Sequence, residues 1–292
     1  MPYSQPITKL VRARFSCRTY LERPLEPEVR QRLADFAAST QSGPLGTEAR
    51  FELVAASATD RQALKGLGTY GFIQGATGFI IGATKDAEKG LEDFGFLMER
   101  IVLYATDLGL GTCWLGGSFT KSSFAAKIRA DNAELVPAVA AVGYMASHRS
   151  VVDRITRFVA SSHGRLPWEQ IFFDGDFDLP LLRETAGDYE VPLEMVRLGP
   201  SAYNRQPWRI LKGANAWHFY LQRPTGYRDR RAAKISWSVA DMQRLDMGIA
   251  MCHFELAARE LGLEGSWVVA EPGIRKPGEL TAYTASWVNG QA

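Results

Sequence analysis

The chain has 292 residues, 46% hydrophobic and 23% charged, a balance that suits a folded protein of two domains or one large one and excludes a disordered or collagen-like chain. Its 34 basic and 32 acidic residues leave a net charge of +2, too balanced to argue for nucleic acid or an anionic membrane surface as a partner. Apolar runs such as Phe79-Ile80-Ile81 fall far short of the roughly 20 residues of a membrane span, and the first ten residues lack a secretory apolar region. Three scattered cysteines (Cys17, Cys113, Cys252) and four histidines (His148, His163, His218, His253) form neither a disulfide framework nor a metal-ligand spacing, so a metal-free protein of the reducing cytoplasm is expected.

A short amphipathic start (Ile7, Leu10, Val11) leads into Arg14-Phe15-Ser16-Cys17-Arg18-Thr19-Tyr20. In an extended segment alternate residues share a face, so Arg14, Ser16 and Arg18 would present two guanidiniums and a hydroxyl together. Guanidiniums hold phosphate bidentately; the same string also suits a solvated edge with exposed arginines. Pro27 to Ala38 reads as a helix, with acidic Glu26 and Glu28 at its positive end and Val29, Leu33 and Phe36 on one side. A loop from Ser39 to Gly46 precedes a strand-like Phe51-Glu52-Leu53-Val54. Tyr70-Gly71-Phe72-Ile73-Gln74-Gly75-Ala76 leads into a predicted strand, Gly78 to Ala83; its glycines suit either close approach of a ligand or tight packing.

Phe94, Leu97, Ile101, Tyr104 and Leu108 fall at helical spacing, which predicts a helix over Asp93 to Leu108, capped by Gly109. The glycine-rich run Leu110-Gly111-Thr112-Cys113-Trp114-Leu115-Gly116-Gly117 reads as a turn whose backbone N–H groups can face a ligand. Cys113 reads as a core residue, since no histidine lies near it in sequence to activate it. Val136 to Gly143 is a further apolar strand, followed by an arginine-rich segment (Arg149, Arg154, Arg157, Arg165).

A helix-loop-strand pattern then returns: Leu182 to Arg197, Gly199-Pro200-Ser201-Ala202-Tyr203-Asn204-Arg205-Gln206-Pro207, and Trp208 to Leu211. The two prolines stiffen a loop of hydrogen-bonding residues, which suits either a surface turn or a grip on the edge of a planar heteroaromatic ligand. Asp241 to Leu261 is a second long helix. Its Leu261-Gly262-Leu263 matches Leu108-Gly109-Leu110 at an offset of 261 − 108 = 153, and the strands at Phe51 and Trp208 differ by 208 − 51 = 157. Offsets this close to half the chain argue for an internal duplication. The second copy carries Asp174-Gly175-Asp176-Phe177-Asp178, which would repel a phosphate, and a late loop, Gly265-Ser266-Trp267, without the full glycine turn.

Three of these motifs resemble the nitroreductase family of FMN enzymes. Pro200, Ser201, Asn204, Gln206, Pro207 and Trp208 fit its Pro-Ser-x-x-Asn-x-Gln-Pro-Trp pattern. Arg14 to Tyr20 is similar to its opening Arg-Arg-Ser-x-Arg-x-Phe, with Phe15 and Tyr20 as departures, and Leu108 to Gly116 is similar to its Leu-Gly-Leu-Gly-Thr-Cys-Trp-x-Gly segment. Gly164 to Phe172 resembles the family's chain ending, whose arginine contacts the FMN phosphate. The resemblance implies an α+β nitroreductase-like fold, with FMN bound by Arg14, Ser16, Arg18, Tyr70, Arg165, Pro200, Ser201, Ala202, Asn204 and Gln206, and Arg157 as a weaker alternative to Arg165. A backbone N–H at Leu115 or Gly116 would meet the flavin N5. Family members are typically homodimers with the flavin between subunits, each giving part of the site. Here residues 1–173 keep the arginines and the turn, and residues 174–292 keep the loop. The resemblance therefore implies two tandem half-units, each with a mainly antiparallel sheet flanked by helices, forming a monomeric pseudo-dimer around one FMN. NAD(P)H would be the reductant and a nitroaromatic, quinone or similar small molecule the acceptor, in a ping-pong cycle with no protein acid or base. The alternatives are another flavin reaction, such as dehalogenation or flavin fragmentation, and flavin binding without turnover.

Overall fold

The chain folds into two sheets that share one core of helices, in a computed structural model that describes residues 2–57, 60, 62–146, 164–225 and 240–290. Arg149, Arg154 and Arg157 lie outside the described residues. The first unit comprises α1 (Ile7–Ala13), α2 (Pro27–Ser39), β1 (Ala49–Ala55), β2 (Gly78–Lys85), α3 (Gly90–Asp107), β3 (Gly111–Leu115), α4 (Lys121–Lys127), β4 (Glu134–Leu135) and β5 (Val139–Gly143). Its sheet runs β1-β2-β5-β3, with β4 beside β2, and every pairing is antiparallel. The second unit comprises β6 (Phe172–Asp174), α5 (Glu190–Leu198), β7 (Trp208–Lys212), β8 (Ala216–Gln222), α6 (Met242–Glu260), β9 (Gly265–Val268) and β10 (Thr281–Asn289). Its sheet runs β6-β7-β8-β10-β9, antiparallel except for the β6–β7 pair. The fold is α+β, with two sheets flanked by helices. The division between residues 173 and 174 falls inside β6, so the chain leading out of the first unit ends as an edge strand of the second sheet.

Burial explains the apolar run of β2, in which only Lys85 is exposed. Strand alternation sends Ile80 into the large helical core, and Phe79 and Ile81 into a smaller cluster with Cys113, Phe119 and Phe124 on the other face. Gly75 is a packing glycine: a Cβ there would meet the Tyr20 carbonyl oxygen at 2.4 Å. Gly109 has φ +78° and ends α3 with its neighbour Leu110 donating to the Ala105 carbonyl, the left-handed stop that the sequence suggests.

Four element expectations need correction. The glycine-rich run after α3 is not a turn but a strand through Leu115, paired with β5; only Gly116 and Gly117 leave it. The expected late loop is strand β9, because Trp267 pairs with Trp287 of β10 and packs edge-on against Phe219 and Trp287. The strand expected from Val136 starts at Val139, after Pro137, which has no N–H for a ladder. The helix expected from Leu182 starts at Glu190, behind two short 3₁₀ turns, the second opened by Gly187 at φ +58°.

Helices α3 and α6 cross at the centre of the molecule. A Cβ on Gly95 would lie 2.2 Å from the Leu245 carbonyl oxygen, and one on Gly248 would lie 1.9 Å from that of Glu92. The contacts are reciprocal: 248 − 95 = 153 and 245 − 92 = 153, so each glycine presses on the helix that carries the other at matching positions. Arg244 adds a paired contact across the crossing, its Nε donating to Glu92 Oε1 at 2.7 Å. Gly95→Ala and Gly248→Ala should each destabilise the protein by about 3 kcal/mol, the upper end of overpacking costs, since backbone rather than a side chain must move. Urea unfolding measures this, and midpoints equal to wild type would show that the helices can separate without penalty.

Candidate functional site

Residues from both units line a cavity of about 550 Å³. The chain after α1 runs extended beside β3: Arg14 leaves the helix at ψ 130°, Ser16 bridges Thr112, and the Cys17 N–H donates to the Thr112 carbonyl at 2.8 Å. That alternation brings Ser16 and Arg18 to the cavity. Helix α1 is itself fixed by the second unit, because Glu260 of α6 receives the N–H groups of Ile7 and Thr8 and the Thr8 hydroxyl (2.8 Å). A carboxylate there complements the positive helix end where Pro6 offers no capping side chain. Leu115 and Gly116 follow on the wall, with Tyr70 and Phe72 exposed nearby. A Cβ on Gly116 would sit 2.1 Å from the Met242 methyl, so its lack of a side chain lets the chain pass close to α6.

The second unit supplies Pro200, Ser201, Ala202 and Tyr203. Within this loop Tyr203 (φ 52°), Asn204 (φ 53°) and Gln206 (φ 48°) are left-handed. Such backbone costs about 1–2 kcal/mol per non-glycine residue, so the surroundings must hold it. Ser201 Oγ accepts the Gln206 N–H at 2.8 Å. Gln206 Oε1 accepts the Leu166 N–H at 2.8 Å, and Asn204 Nδ2 donates to the Gly164 carbonyl at 2.8 Å. Arg165 donates through Nη1 to Asn204 Oδ1 (2.7 Å) and through Nη2 to the Leu198 carbonyl (2.9 Å). Eight of the sequence-predicted residues therefore meet at one cavity: Ser16, Arg18, Tyr70, Leu115, Gly116, Pro200, Ser201 and Ala202. Asn204, Gln206 and Arg165 do not line it; they bind one another and brace the loop.

Arg14 also stands off the cavity wall and is buried. Among the described residues its nearest acid is Glu99, 3.8 Å from its Nε, and that Nε has no hydrogen-bond partner. Burial lowers its pKa. The Arg165 pKa is lowered to about 10, first by burial and then by the charges of Arg14 and Arg197. A buried guanidinium with an unused donor, close enough to lower the pKa of a second one, makes a corner suited to an anion.

Three buried polar residues at or behind the cavity were given no role from the sequence: Glu99, His253 and Asp246. Glu99 and His253 are fully buried, and His253 Nε2 lies 3.0 Å from Glu99 Oε1. The Met195 carbonyl, 2.9 Å from His253 Nδ1, can only accept, so Nδ1 carries a hydrogen. Trp114 Nε1 donates to Glu99 Oε2 at 2.7 Å. Asp246, 2% exposed and part of the cavity wall, accepts the Ala202 N–H at 2.9 and 3.2 Å through its two oxygens. Burial pushes its pKa well above the usual carboxylate range. The available signal was a polar residue on a largely apolar helix face, as with Asp246 one turn from Met242, Ile249 and Ala250.

A family model described as "Putative TM nitroreductase" matches residues 6–258. The chain belongs to that family. Among solved structures, it resembles a putative nitroreductase from Thermotoga maritima at 20% identity and TM-score 0.59, covering 99% of this chain and 95% of that one, which shows the nitroreductase fold. A nitroreductase with bound FMN from Bacteroides fragilis matches at 16% identity and TM-score 0.39, covering 51% of this chain and 92% of its own. A putative nitroreductase in complex with FMN from Desulfovibrio desulfuricans matches at 21% identity and TM-score 0.38, over 52% and 95%. No curated protein matches the chain.

Glu99→Ala should cost about 3–5 kcal/mol, because it leaves His253 and Trp114 without their shared buried acceptor and Arg14 without its nearby acid. Removing Glu271 from its exposed pair with Lys276 should cost less than about 1 kcal/mol. Thermal unfolding of the two variants compares them, and similar losses would show that the buried network contributes no more than a surface pair.

Proposed function

We propose that this nitroreductase-family chain is an FMN-dependent oxidoreductase that uses NAD(P)H to reduce electrophilic small molecules such as nitroaromatics or quinones. The observation that carries this reading is the shared cavity, with Ser16, Arg18 and the Leu115–Gly116 backbone from one unit and Pro200 to Ala202 from the other. The buried Arg14 Nε, beside Arg165 and without a hydrogen bond among the described residues, fits a phosphate at the cavity's edge. We further propose that residues 1–173 and 174–292 form a pseudo-dimer around one cofactor, supported by the reciprocal glycine contacts of α3 and α6. Dependence on NAD(P)H would place its work in the cytoplasm.

Bound FMN would supply a ring that accepts a hydride from one partner and passes it to another. In this reading Arg14 and Arg165 hold its phosphate and Ser16 its polar chain. Pro200, Ser201 and Ala202 form a stiff wall against the ring, which Asn204 and Gln206 keep in shape from behind. The backbone N–H at Leu115 or Gly116 is the donor offered to N5. Arg18 provides positive charge where the ring gains negative charge on reduction, a preorganised electrostatic role. Tyr70, 69% exposed, and Tyr203, 81% exposed, offer aromatic faces at the mouth to planar partners.

The testing experiment is an anaerobic absorbance spectrum of purified protein before and after NADPH. A flavin spectrum that bleaches supports the reading; one that persists favours flavin binding without turnover; none, even after adding FMN, overturns it. Arg14→Ala combined with Arg18→Ala should give folded but colourless protein, and full FMN content in that variant would remove both arginines from the site.

A further inference from the structure

Two aspartates stand at matched positions on the crossing helices, 246 − 93 = 153, and both receive backbone N–H groups from a neighbouring loop. Asp93 is saturated: it accepts the Leu45 N–H (2.9 Å), the Thr47 N–H (2.8 Å) and the Thr47 hydroxyl (2.7 Å). Among the described residues Asp246 accepts one donor, the Ala202 N–H. Its remaining capacity faces the cavity, whose wall it forms with Met242, Leu245 and Ile249. Among the described residues no cation pairs with it. The charged group that acts on it is Asp241, a like charge on the same helix, itself held by Arg223 at 2.7 Å. The other titratable groups on the wall are Arg18, Tyr70 and Cys113 from the first unit and Tyr203 from the loop. A buried carboxyl on the wall of a mostly apolar cavity, with no cation paired to it among the described residues, is more stable neutral than charged.

We propose that Asp246 is the proton donor of this cavity: as a neutral acid it hydrogen-bonds the electron acceptor and protonates it as hydride arrives. The inference rests on the redox reading above. For a quinone, two electrons and one proton enter as hydride from the NAD(P)H-reduced flavin. The Asp246 O–H bond breaks, an O–H bond forms on the acceptor oxygen that gains the electron pair, and the hydroquinone leaves. Water then reprotonates the carboxylate. The acceptors chosen are neutral, with an oxygen able to take a hydrogen bond; anionic acceptors are disfavoured once Asp246 ionises.

The test is Asp246→Asn, which keeps an acceptor for the Ala202 N–H but has no proton to release. Infrared spectra at neutral pH should show a protonated carboxyl band in wild type that the variant lacks, whether or not flavin is bound. With FMN bound, reduction by NADPH should be retained, while quinone turnover falls roughly 10²- to 10⁴-fold. Wild-type turnover should decline as pH rises through the Asp246 pKa, and the variant should lose that limb. Thermal stability supplies a third readout. The neutral acid is favourable at low pH and becomes costly as pH rises, so the variant's melting temperature should gain on wild type with increasing pH. No Asp246-dependent band, or turnover and pH profile unchanged in the variant, overturns the proposal. An Asp246-dependent band in a protein that binds no flavin would instead overturn the redox reading and leave a buried acid in the cavity.

Discussion

At the centre of the molecule the backbones of α3 and α6 touch, with no side chain between them at Gly95 and Gly248. Most of what surrounds the cavity depends on that contact. It fixes α6 so that Met242, Leu245, Asp246 and Ile249 form part of the cavity wall. Further along, it brings Glu99 of one helix against His253 of the other and so places the acceptor that Trp114 and Arg14 approach. At the far end it carries Glu260 to the start of α1, which leads into the arginine string. A larger residue at either glycine would push on backbone that cannot rotate aside, so the cost would reach every one of these groups.

The two units use the same framework for different ends. In the first, the loop after α2 closes tightly on Asp93, and three hydrogen bonds leave that carboxylate nothing to offer a ligand. In the second, Pro200 to Tyr203 opens onto the cavity and gives Asp246 one partner among the described residues. The arginines show the matching asymmetry. Arg14 and Arg165 crowd positive charge where no acid balances it fully, whereas Asp174, Asp176 and Asp178 put negative charge into the corresponding part of the second unit. Burial makes the Arg14 side chain, Arg165 and Asp246 costly to charge, a cost that a group of the right charge or hydrogen-bonding character would offset.

Local chemistry made much of this legible. Helical spacing and terminal glycines marked α3 and α6 to within a few residues, and the extended Arg14–Arg18 string follows from the alternation of a strand. Pro200 and Pro207 announced a stiff loop, because proline acts on its own and the preceding residue whatever the rest of the chain does. The glycine-rich run misled, since Gly111 to Leu115 form a strand: β5 offers a partner edge that propensity does not register. Asn204 and Gln206 were legible as hydrogen-bonding residues but not in their direction, for Gly164 and Leu166 are about forty residues away in sequence.

The sequence by itself determined the long helices, several strands, the family motifs and the residue types able to bind an anion and a planar ring, since all of these reside in neighbouring residues. Only the tertiary structure decided which of those residues share a cavity, that the Arg14 side chain is buried, and that Asp246 lines the cavity with no cation paired to it among the described residues. Burial and partnership are properties of segments brought together from both units. A carboxylate or guanidinium acquires its chemistry from the water and the charges it loses on folding, and no local pattern records that loss.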